Sequence, residues 1–207
     1  MKPRKPATSK SAKSSAKAPA KTSVIRGKAH IYSSKVAWHG KVFSVISEDV
    51  REPNGIRSNR DLIRHNGSIV VLAVDESNPT DPLILIERQY RHAAGQFLLE
   101  LPAGRIDEGE AALHAAKREL IEETGYRAKR WTKLVRYYAS PGFLGETMQI
   151  YLAQDIRAGL AEPEDDESIE IRFIPLSEVL KMIDSGVILD GKTLIGVQYY
   201  ARHRHEL

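Results

Sequence analysis

Residues 110–124 are the part of this chain that most limits how it can fold. The segment contains neither glycine nor proline, is rich in alanine, leucine, glutamate and arginine, and is followed by Gly125. A segment of this composition with a glycine in the C-cap position predicts an α-helix. Leu113, Ala116 and Leu120 form an apolar stripe along it, so we expect that face to pack on a core.

Three glutamates share another face of this predicted helix. Glu119, Glu122 and Glu123 are spaced i, i+3 and i+4, which places their side chains next to one another. Like charges at this spacing destabilise a helix by roughly 0.2–0.5 kcal/mol per pair. One interpretation is a solvated acidic face. The other is a divalent cation site, because Mg²⁺ prefers hard oxygen ligands and is typically held by carboxylates together with substrate phosphates.

Short apolar runs and turn residues surround the predicted helix. The predicted strands are residues 41–46, 68–74, 83–87, 133–138, 147–153 and 169–174. Two further helices are predicted, at residues 177–185 with Ser177 as the cap and at residues 193–203. The Pro-Asn-Gly sequence at 53–55 predicts a turn. Because some strands follow one another directly while others are separated by helices, we expect an α/β fold with a mixed sheet and helices on its faces.

The basic residues of the chain are concentrated at its start. Residues 1–28 hold nine Lys or Arg and no acidic residue, whereas residues 29–207 hold 22 basic and 27 acidic residues, for a formal net charge of +4 overall. Residues 1–23 consist largely of Lys, Ala, Ser, Pro and Thr, so we expect residues 1–28 to be a disordered basic tail. The tail lacks the apolar core of a secretory signal peptide, and we expect a cytoplasmic protein.

Composition excludes several classes of protein. The chain has no cysteine, which rules out a disulfide framework, a thiolate metal site and a cysteine nucleophile. Its longest apolar run, residues 69–74, is far shorter than the ~20 residues of a membrane-spanning helix, so we expect no membrane partner. The seven histidines show no zinc-like clustering along the sequence.

Residues 104–126 resemble the Nudix box. The specified side chains of that motif are filled by Gly104, Glu110, Arg118, Glu119, Leu120, Glu122, Glu123 and Gly125, and Tyr126 stands where an aliphatic residue is usual. Residues 87–91 and 100–104 before the box, and residues 140–146 after it, resemble ADP-ribose pyrophosphatases and related hydrolases of nucleoside diphosphate sugars. Pro141, 16 residues past Gly125, has the spacing associated with the ADP-ribose subgroup. The resemblance extends from about residue 30 to 203.

The resemblance implies both a fold and an activity. It implies an α/β/α sandwich around a mixed sheet, with a small N-terminal β subdomain at residues 29–62 and the Nudix domain at residues 63–207. The activity it implies is Mg²⁺-dependent hydrolysis of ADP-ribose to AMP and ribose 5-phosphate, with Mn²⁺ as a second usable metal. GDP-mannose and ADP-glucose are the alternative substrates. A nucleic-acid-binding protein that acts through the basic tail is an alternative of another class.

The resemblance also implies roles for particular residues. The metal ligands would be the backbone carbonyl of Ala103 and the carboxylates of Glu119, Glu122 and Glu123. Arg118 would orient Glu122, Glu110 would act from the helix entrance, and Glu167 in the acidic loop 164–167 would be the general base. The residues expected to contact substrate are Arg88, Arg91, Glu100, Pro141 and Glu146. For the two arginines a plain surface charge is the alternative, and for the acidic loop a solvated loop.

The N-terminal strands resemble the subdomain that relatives pack across a two-fold dimer, so we expect a homodimer. Trp38 or Phe43 would then lie in the interface, although core packing is the alternative for Phe43. Arg57 or Arg60 would reach the site of the partner.

Overall fold

A computed structural model describes residues 26–160 and 169–207. The first strands form an antiparallel sheet of their own, in the order β1 (His30–His39), β2 (Ser44–Arg51) and β3 (Arg57–Arg64). β1 lies at the edge of this sheet and is exposed along its whole length. The predicted turn at 53–55 joins β2 to β3, with Gly55 at a φ of 89° that favours glycine.

The second sheet has seven strands within the described ranges. They are β4 (Ser68–Asp75), β5 (Leu83–Arg91), β6 (Gln96–Glu100), β7 (Ala103–Arg105), β8 (Arg127–Tyr138), β9 (Thr147–Arg157) and β10 (Ile169–Pro175). The main order is β10-β5-β4-β9-β8, with β6 paired to β5 and β7 paired to β4. β4 and β9 run parallel and the other pairs are antiparallel, which confirms the predicted mixed sheet.

Helices cover both faces of this sheet. α1 (Ala112–Thr124) packs through Leu120 on the face that carries Ile69 and Val71 of β4. Val70 and Leu72 of β4 point to the opposite face, because successive side chains of a strand point to opposite sides. α2 (Leu176–Asp184) and α3 (Gly191–His203) pack on that face. The expected α/β/α sandwich is thereby confirmed. Across the described residues, no helix is long and apolar enough to span a membrane.

The predicted helix starts are displaced. α1 begins at Ala112, which leaves Glu110 in the preceding loop. α2 begins at Leu176, so Ser177 lies inside the first turn and is not the cap; its N–H instead donates to Asp81 Oδ1 at 2.9 Å. α3 begins at Gly191, capped by Asp190. The N-cap residue of α1, Ala111, makes no side-chain cap bond, and in α2 the N–H of Ser177 is satisfied by a distant aspartate that the local sequence does not reveal.

The strand predictions differ most in the N-terminal sheet. The strand predicted at residues 41–46 starts too early: residues 44–46 belong to β2, whereas residues 40–43 form the connection between β1 and β2. The strands β1, β3, β6 and β7 have no counterpart among the strand ranges predicted from the sequence. β6 and β7 have five and three residues, too few for an alternating pattern to stand out. Tyr126, the unusual residue of the box, packs edge-on against Phe173 at 5.3 Å between ring centroids, so an aromatic residue fits there.

Candidate active site

The glutamate-rich helix α1 is held against the sheet at the point where β7 ends. Ala115, Ala116 and Leu120 are fully buried against the sheet, which turns the glutamates toward β7 and the loop before the helix. α1 ends at Thr124 and is capped by Gly125, whose φ of 73° lets its N–H donate to the carbonyl of Ile121 at 2.8 Å. The C-cap predicted from the sequence is confirmed.

Arg118 gathers three of the carboxylates of the box. Its Nη1 donates to Glu119 Oε1 at 2.7 Å and to Glu122 Oε2 at 2.8 Å, and its Nε and Nη2 donate to Glu110 at 3.1 Å. A further bond at 3.1 Å reaches the backbone carbonyl of Arg105. The hydrogen bond from Arg118 holds the pKa of Glu110 below its usual value. One guanidinium therefore offsets the repulsion between the glutamates and sets the positions of their carboxylates.

Glu123 and Gly104 connect the helix to β7. The side chain of Glu123 is buried, and its Oε2 accepts the N–H of Ala103 at 3.1 Å. Gly104 lies so close to Glu119 that a Cβ in its place would overlap the carboxylate. The structure thus brings the backbone of residues 103–104 and the carboxylates of Glu119 and Glu123 to one place.

The oxygen atoms of this cluster are chemically suited to Mg²⁺, but in the structure they are arranged around an arginine. Within residues 26–160 and 169–207, no group of three or more His, Asp or Glu side chains is placed so that it could hold a metal ion. Arg118 pairs with the carboxylates of Glu119 and Glu122 in this arrangement. Carboxylate and carbonyl oxygens are nevertheless the ligands that Mg²⁺ prefers, so the donor set fits the ion.

A second, partly buried ionic cluster lies next to the box. Arg91 donates to Glu100 through Nε at 2.8 Å and Nη2 at 2.9 Å, and Lys192 Nζ contacts the same carboxylate. Burial raises the pKa of Glu100, but the hydrogen bond from Arg91 and the charge of Lys192 outweigh it, so the net shift is downward. The charges of Glu87 and Glu123 act on Arg91 as well and help to raise its pKa. Arg91 of the second cluster thus lies within electrostatic reach of Glu123 in the box.

Arg88 and Arg91 have different surroundings. They are three residues apart on β5, so their side chains point to opposite faces of the sheet. Arg88 pairs with Glu170 at 3.2 Å and stacks over Phe97 at 3.8 Å from the ring centroid. The structure therefore brings Arg91 to the carboxylate cluster and does not bring Arg88 there.

The remaining expected substrate residues lie between the two sheets. Glu146 accepts a bond from Ser68 Oγ at 2.6 Å, at the start of β4. Pro141 is exposed and lines a cleft of about 410 Å³ against the N-terminal sheet. A larger cleft, of about 730 Å³, lies between the β1–β2 connection and the loop before α1; its lining includes Lys41, Phe43, Arg64, His65, Arg105 and Asp107. Glu167 and the acidic loop 164–167 lie outside the described residues.

The sequence reasoning missed Lys192 and Asp190. Lys192 stands in the first turn of α3, where a cation is unfavourable with respect to the helix dipole unless a carboxylate balances it. Its Nζ contacts Asp190 Oδ1 at 3.1 Å as well as Glu100. A lysine at a helix N-terminus was the signal that could have pointed to this cluster.

Comparison with known proteins places this geometry in a family. The NUDIX domain model matches residues 64–192. The chain is 37% identical over 162 residues to the ADP-ribose pyrophosphatase of Bacillus subtilis strain 168, covering 77% of this chain and 85% of that protein. It is 34% identical over 166 residues to a GDP-mannose pyrophosphatase of Salmonella paratyphi B, covering 74% and 84%.

A solved structure supports the fold. A crystal structure titled as an ADP compounds hydrolase superposes with a TM-score of 0.74 at 23% identity and covers 87% of this chain and 96% of that one. The box geometry, the family match across residues 64–192 and the identity to curated relatives agree with one another. The chain belongs to the NUDIX domain family and is a Nudix hydrolase.

Proposed function

We propose that this enzyme hydrolyses the diphosphate of ADP-ribose, giving AMP and ribose 5-phosphate, and that it depends on Mg²⁺. The observation that carries the proposal is the arrangement of Glu110, Glu119 and Glu122 around Arg118, with Glu123 against the backbone of Ala103. ADP-ribose is favoured as the substrate because a relative named ADP-ribose pyrophosphatase is 37% identical to this chain. In addition, Pro141 has the spacing from Gly125 that is associated with the ADP-ribose subgroup.

The metal would be held by the carboxylates of Glu119, Glu122 and Glu123 and by the carbonyl of Ala103, with Mn²⁺ as a possible replacement. A bound ion of this kind neutralises diphosphate charge and lowers the pKa of a water ligand. Arg118 keeps Glu119 and Glu122 within reach of one another, since it donates to both from a single nitrogen. Its role is to position ligands.

Hydrolysis adds a water molecule across the P–O–P bridge. The water oxygen bonds to one phosphorus, the bridging oxygen leaves with the other phosphate, and a base accepts the proton. Arg91 is suited to hold the diphosphate, because a guanidinium fork matches phosphate oxygens and its side chain is 38% exposed. We propose Glu167 as the base, since it precedes β10 in an acidic loop; a base must reach the attacking water by a hydrogen bond.

We also propose that the enzyme is a homodimer that associates through its N-terminal sheet. β1 presents Ile31, Tyr32, Val36 and Trp38, each about half exposed, and its outer edge has no neighbouring strand among the described residues. An apolar edge strand of this kind is a template for pairing with another chain. Arg57 and Arg60 of β3 would then approach the site of the partner. The cytoplasmic location and the division at residues 62–63 stay predictions.

Initial rates with ADP-ribose, ADP-glucose, GDP-mannose and NADH test the substrate. We expect the highest kcat/KM for ADP-ribose in the presence of Mg²⁺ and no turnover after chelation. A higher kcat/KM for GDP-mannose would contradict this and support the alternative that the Salmonella relative suggests.

The metal site is tested with Glu123→Gln. The glutamine keeps an oxygen that can accept the N–H of Ala103, so the fold should persist while turnover falls. Glu178→Gln, on the exposed side of α2, is the matched control and should retain wild-type rates. Full activity of Glu123→Gln at limiting Mg²⁺ would show that the metal site is assigned wrongly.

The basic tail is tested separately, because residues 1–25 lie outside the described ranges. If the tail is a nucleic-acid arm, its deletion removes salt-sensitive RNA or DNA binding and leaves the turnover of ADP-ribose unchanged. If deletion abolishes turnover instead, the tail contributes to the enzyme.

A further inference from the structure

Glu100 is a buried carboxylate with two cationic neighbours. Its side chain is 1% exposed, Arg91 binds both of its oxygens, and Lys192 contacts one of them. A buried carboxylate needs at least one cation close by, because an unpaired buried charge is strongly unfavourable. One cation would meet this need. The second cation is therefore not required to keep Glu100 charged, and the two cations differ in ways that suggest different roles.

Lys192 is held in place more firmly than Arg91. Its side chain is 8% exposed, and its Nζ also pairs with Asp190 at 3.1 Å. Asp190 is itself fixed, since Oδ2 accepts the N–H of Thr193 at 2.9 Å and its hydroxyl at 2.6 Å. Thr193 Oγ1 in turn accepts the N–H of Leu101 at 2.8 Å, which ties the start of α3 to the residue after Glu100. Lys192 therefore stays next to Glu100.

Arg91 is more exposed to solvent than Lys192 and is therefore accessible to an incoming phosphate group. Its side chain is 38% exposed, compared with 8% for Lys192. The charge of Glu123, a residue of the box, acts on Arg91, so this cation lies within electrostatic reach of the box. An arginine that must bind an incoming phosphate gives up part of its pairing with Glu100, and this is costly if nothing else balances that carboxylate.

We propose that Lys192 is a positioning residue that keeps Glu100 neutralised, so that Arg91 is free to bind the diphosphate of the substrate. This inference rests on the proposed function, in which Arg91 holds a diphosphate. Lys192 itself does not touch the substrate. Its effect reaches the substrate through Glu100 and Arg91, so removing Lys192 should bind Arg91 more tightly to Glu100 and weaken the affinity for a diphosphate.

A double-mutant cycle on Lys192 and Glu100 tests the proposal, with inorganic pyrophosphate as the probe and calorimetry in EDTA as the measurement. We expect Lys192→Met to weaken pyrophosphate binding at least tenfold and Lys192→Arg, which keeps the cation, to stay within threefold of wild type. In the Glu100→Gln background there is no carboxylate to neutralise, so adding Lys192→Met should change the affinity less than threefold. With ADP-ribose and Mg²⁺, Lys192→Met should raise KM more than it lowers kcat.

Two results would overturn the proposal. Unchanged affinity in Lys192→Met would show that Arg91 does not need a second cation at Glu100. An equal loss in the wild-type and Glu100→Gln backgrounds would show that Lys192 acts by another route. If Lys192→Met does not fold, Lys192→Gln, which keeps a hydrogen-bond donor for Glu100 but carries no charge, takes its place in the same cycle with the same expected results.

The outcome is separable from that of the proposed function. An enzyme that shows the expected coupling with pyrophosphate but does not hydrolyse ADP-ribose would contradict the substrate and leave the role of Lys192 supported. An enzyme that hydrolyses ADP-ribose but shows no coupling would overturn the role of Lys192 alone. A wild-type protein that binds no pyrophosphate would also overturn it.

Discussion

Gly104 lies against the carboxylate of Glu119, and a methyl group at Gly104 would overlap that carboxylate. The backbone conformation does not require a glycine at this position, since the φ of Gly104 is not positive. A glycine is required because there is no room for a side chain next to Glu119. The first residue of the box motif thus has a physical explanation: it lets α1 approach β7 closely enough for the carboxylate of Glu119 to lie against Gly104 and that of Glu123 to accept the N–H of Ala103.

Gly104→Ala should therefore displace Glu119 while leaving the core intact. We expect kcat/KM for ADP-ribose to fall about 100-fold, the scale of loss that misplacing a reacting group by about 1 Å produces. Gly191→Ala is the matched control, because a Cβ there meets nothing within 4 Å. Rates and thermal unfolding midpoints of both variants provide the measurement. Wild-type kcat/KM in Gly104→Ala would show that the position of Glu119 does not matter for turnover.

The hydrogen bonds from Arg118 to three carboxylates of the box give a second prediction. A lysine cannot donate to Glu110, Glu119 and Glu122 from one planar fork, so Arg118→Lys should loosen the carboxylates. We expect kcat/KM to fall about 10–100-fold and half-saturating Mg²⁺ to rise, as for other residues that orient metal ligands. The unfolding free energy should change by only about 1 kcal/mol, because the guanidinium is partly exposed to solvent.

Arg130→Lys is the control for this variant. Arg130 also bridges two carboxylates, those of Glu76 at 2.9 Å and Asp155 at 2.8 Å, but neither belongs to the box. It should keep wild-type kinetics. Equal kinetic losses in both variants would mean that the effect of Arg118→Lys comes from general ion-pair loss.

The features that can be predicted from the sequence are those that depend on residues close together in the chain. The helix α1 and its end at Gly125 depend on residues within a few turns, and the contact of Arg118 with Glu122 is an i, i+4 pair. The apolar strands β4 and β5 were equally visible, because buried strands of a mixed sheet are continuous apolar runs. These features include most of the box.

The features that the sequence could not predict depend on distant residues. Ser177 is bonded to Asp81, which is 96 residues away, so its role in α2 could not be read from its neighbours. Lys192 and Glu100 are 92 residues apart. Nothing in a local pattern pairs a lysine at the start of one helix with a glutamate at the end of β6, and only the folded sheet brings them together.

The exposed strand β1 gives a third prediction. Val36 is 58% exposed on a strand whose outer edge is unpaired in the described chain, so Val36→Glu should oppose association. We expect wild-type protein to sediment as a dimer and Val36→Glu as a monomer with lower kcat/KM. Val187→Glu, a substitution at a site that is 55% exposed outside this sheet, should remain dimeric. A Val36→Glu variant that stays dimeric would show that β1 is not the interface.

The bond between Asp81 and Ser177 predicts how stability depends on pH. Asp81 accepts the N–H of Ser177 at 2.9 Å and its hydroxyl at 2.7 Å, and these bonds hold the pKa of Asp81 below the ordinary value of 3.8. The ionised carboxylate is thus favoured in the folded state. Its contribution is fully present above pH 3.8 and is lost as the pH falls through the lower pKa of the folded protein.

Asp81→Asn separates this contribution from the other carboxylates. The asparagine can still accept a hydrogen bond but does not titrate, so wild type should be the more stable protein at about pH 6 and should lose that advantage toward about pH 3. Urea unfolding midpoints of both proteins across this range measure the difference. Ser177→Ala removes the hydroxyl donor and should shrink the advantage at the higher pH. A difference between wild type and Asp81→Asn that stays constant with pH would mean that the bond to Ser177 does not favour the charged form of Asp81.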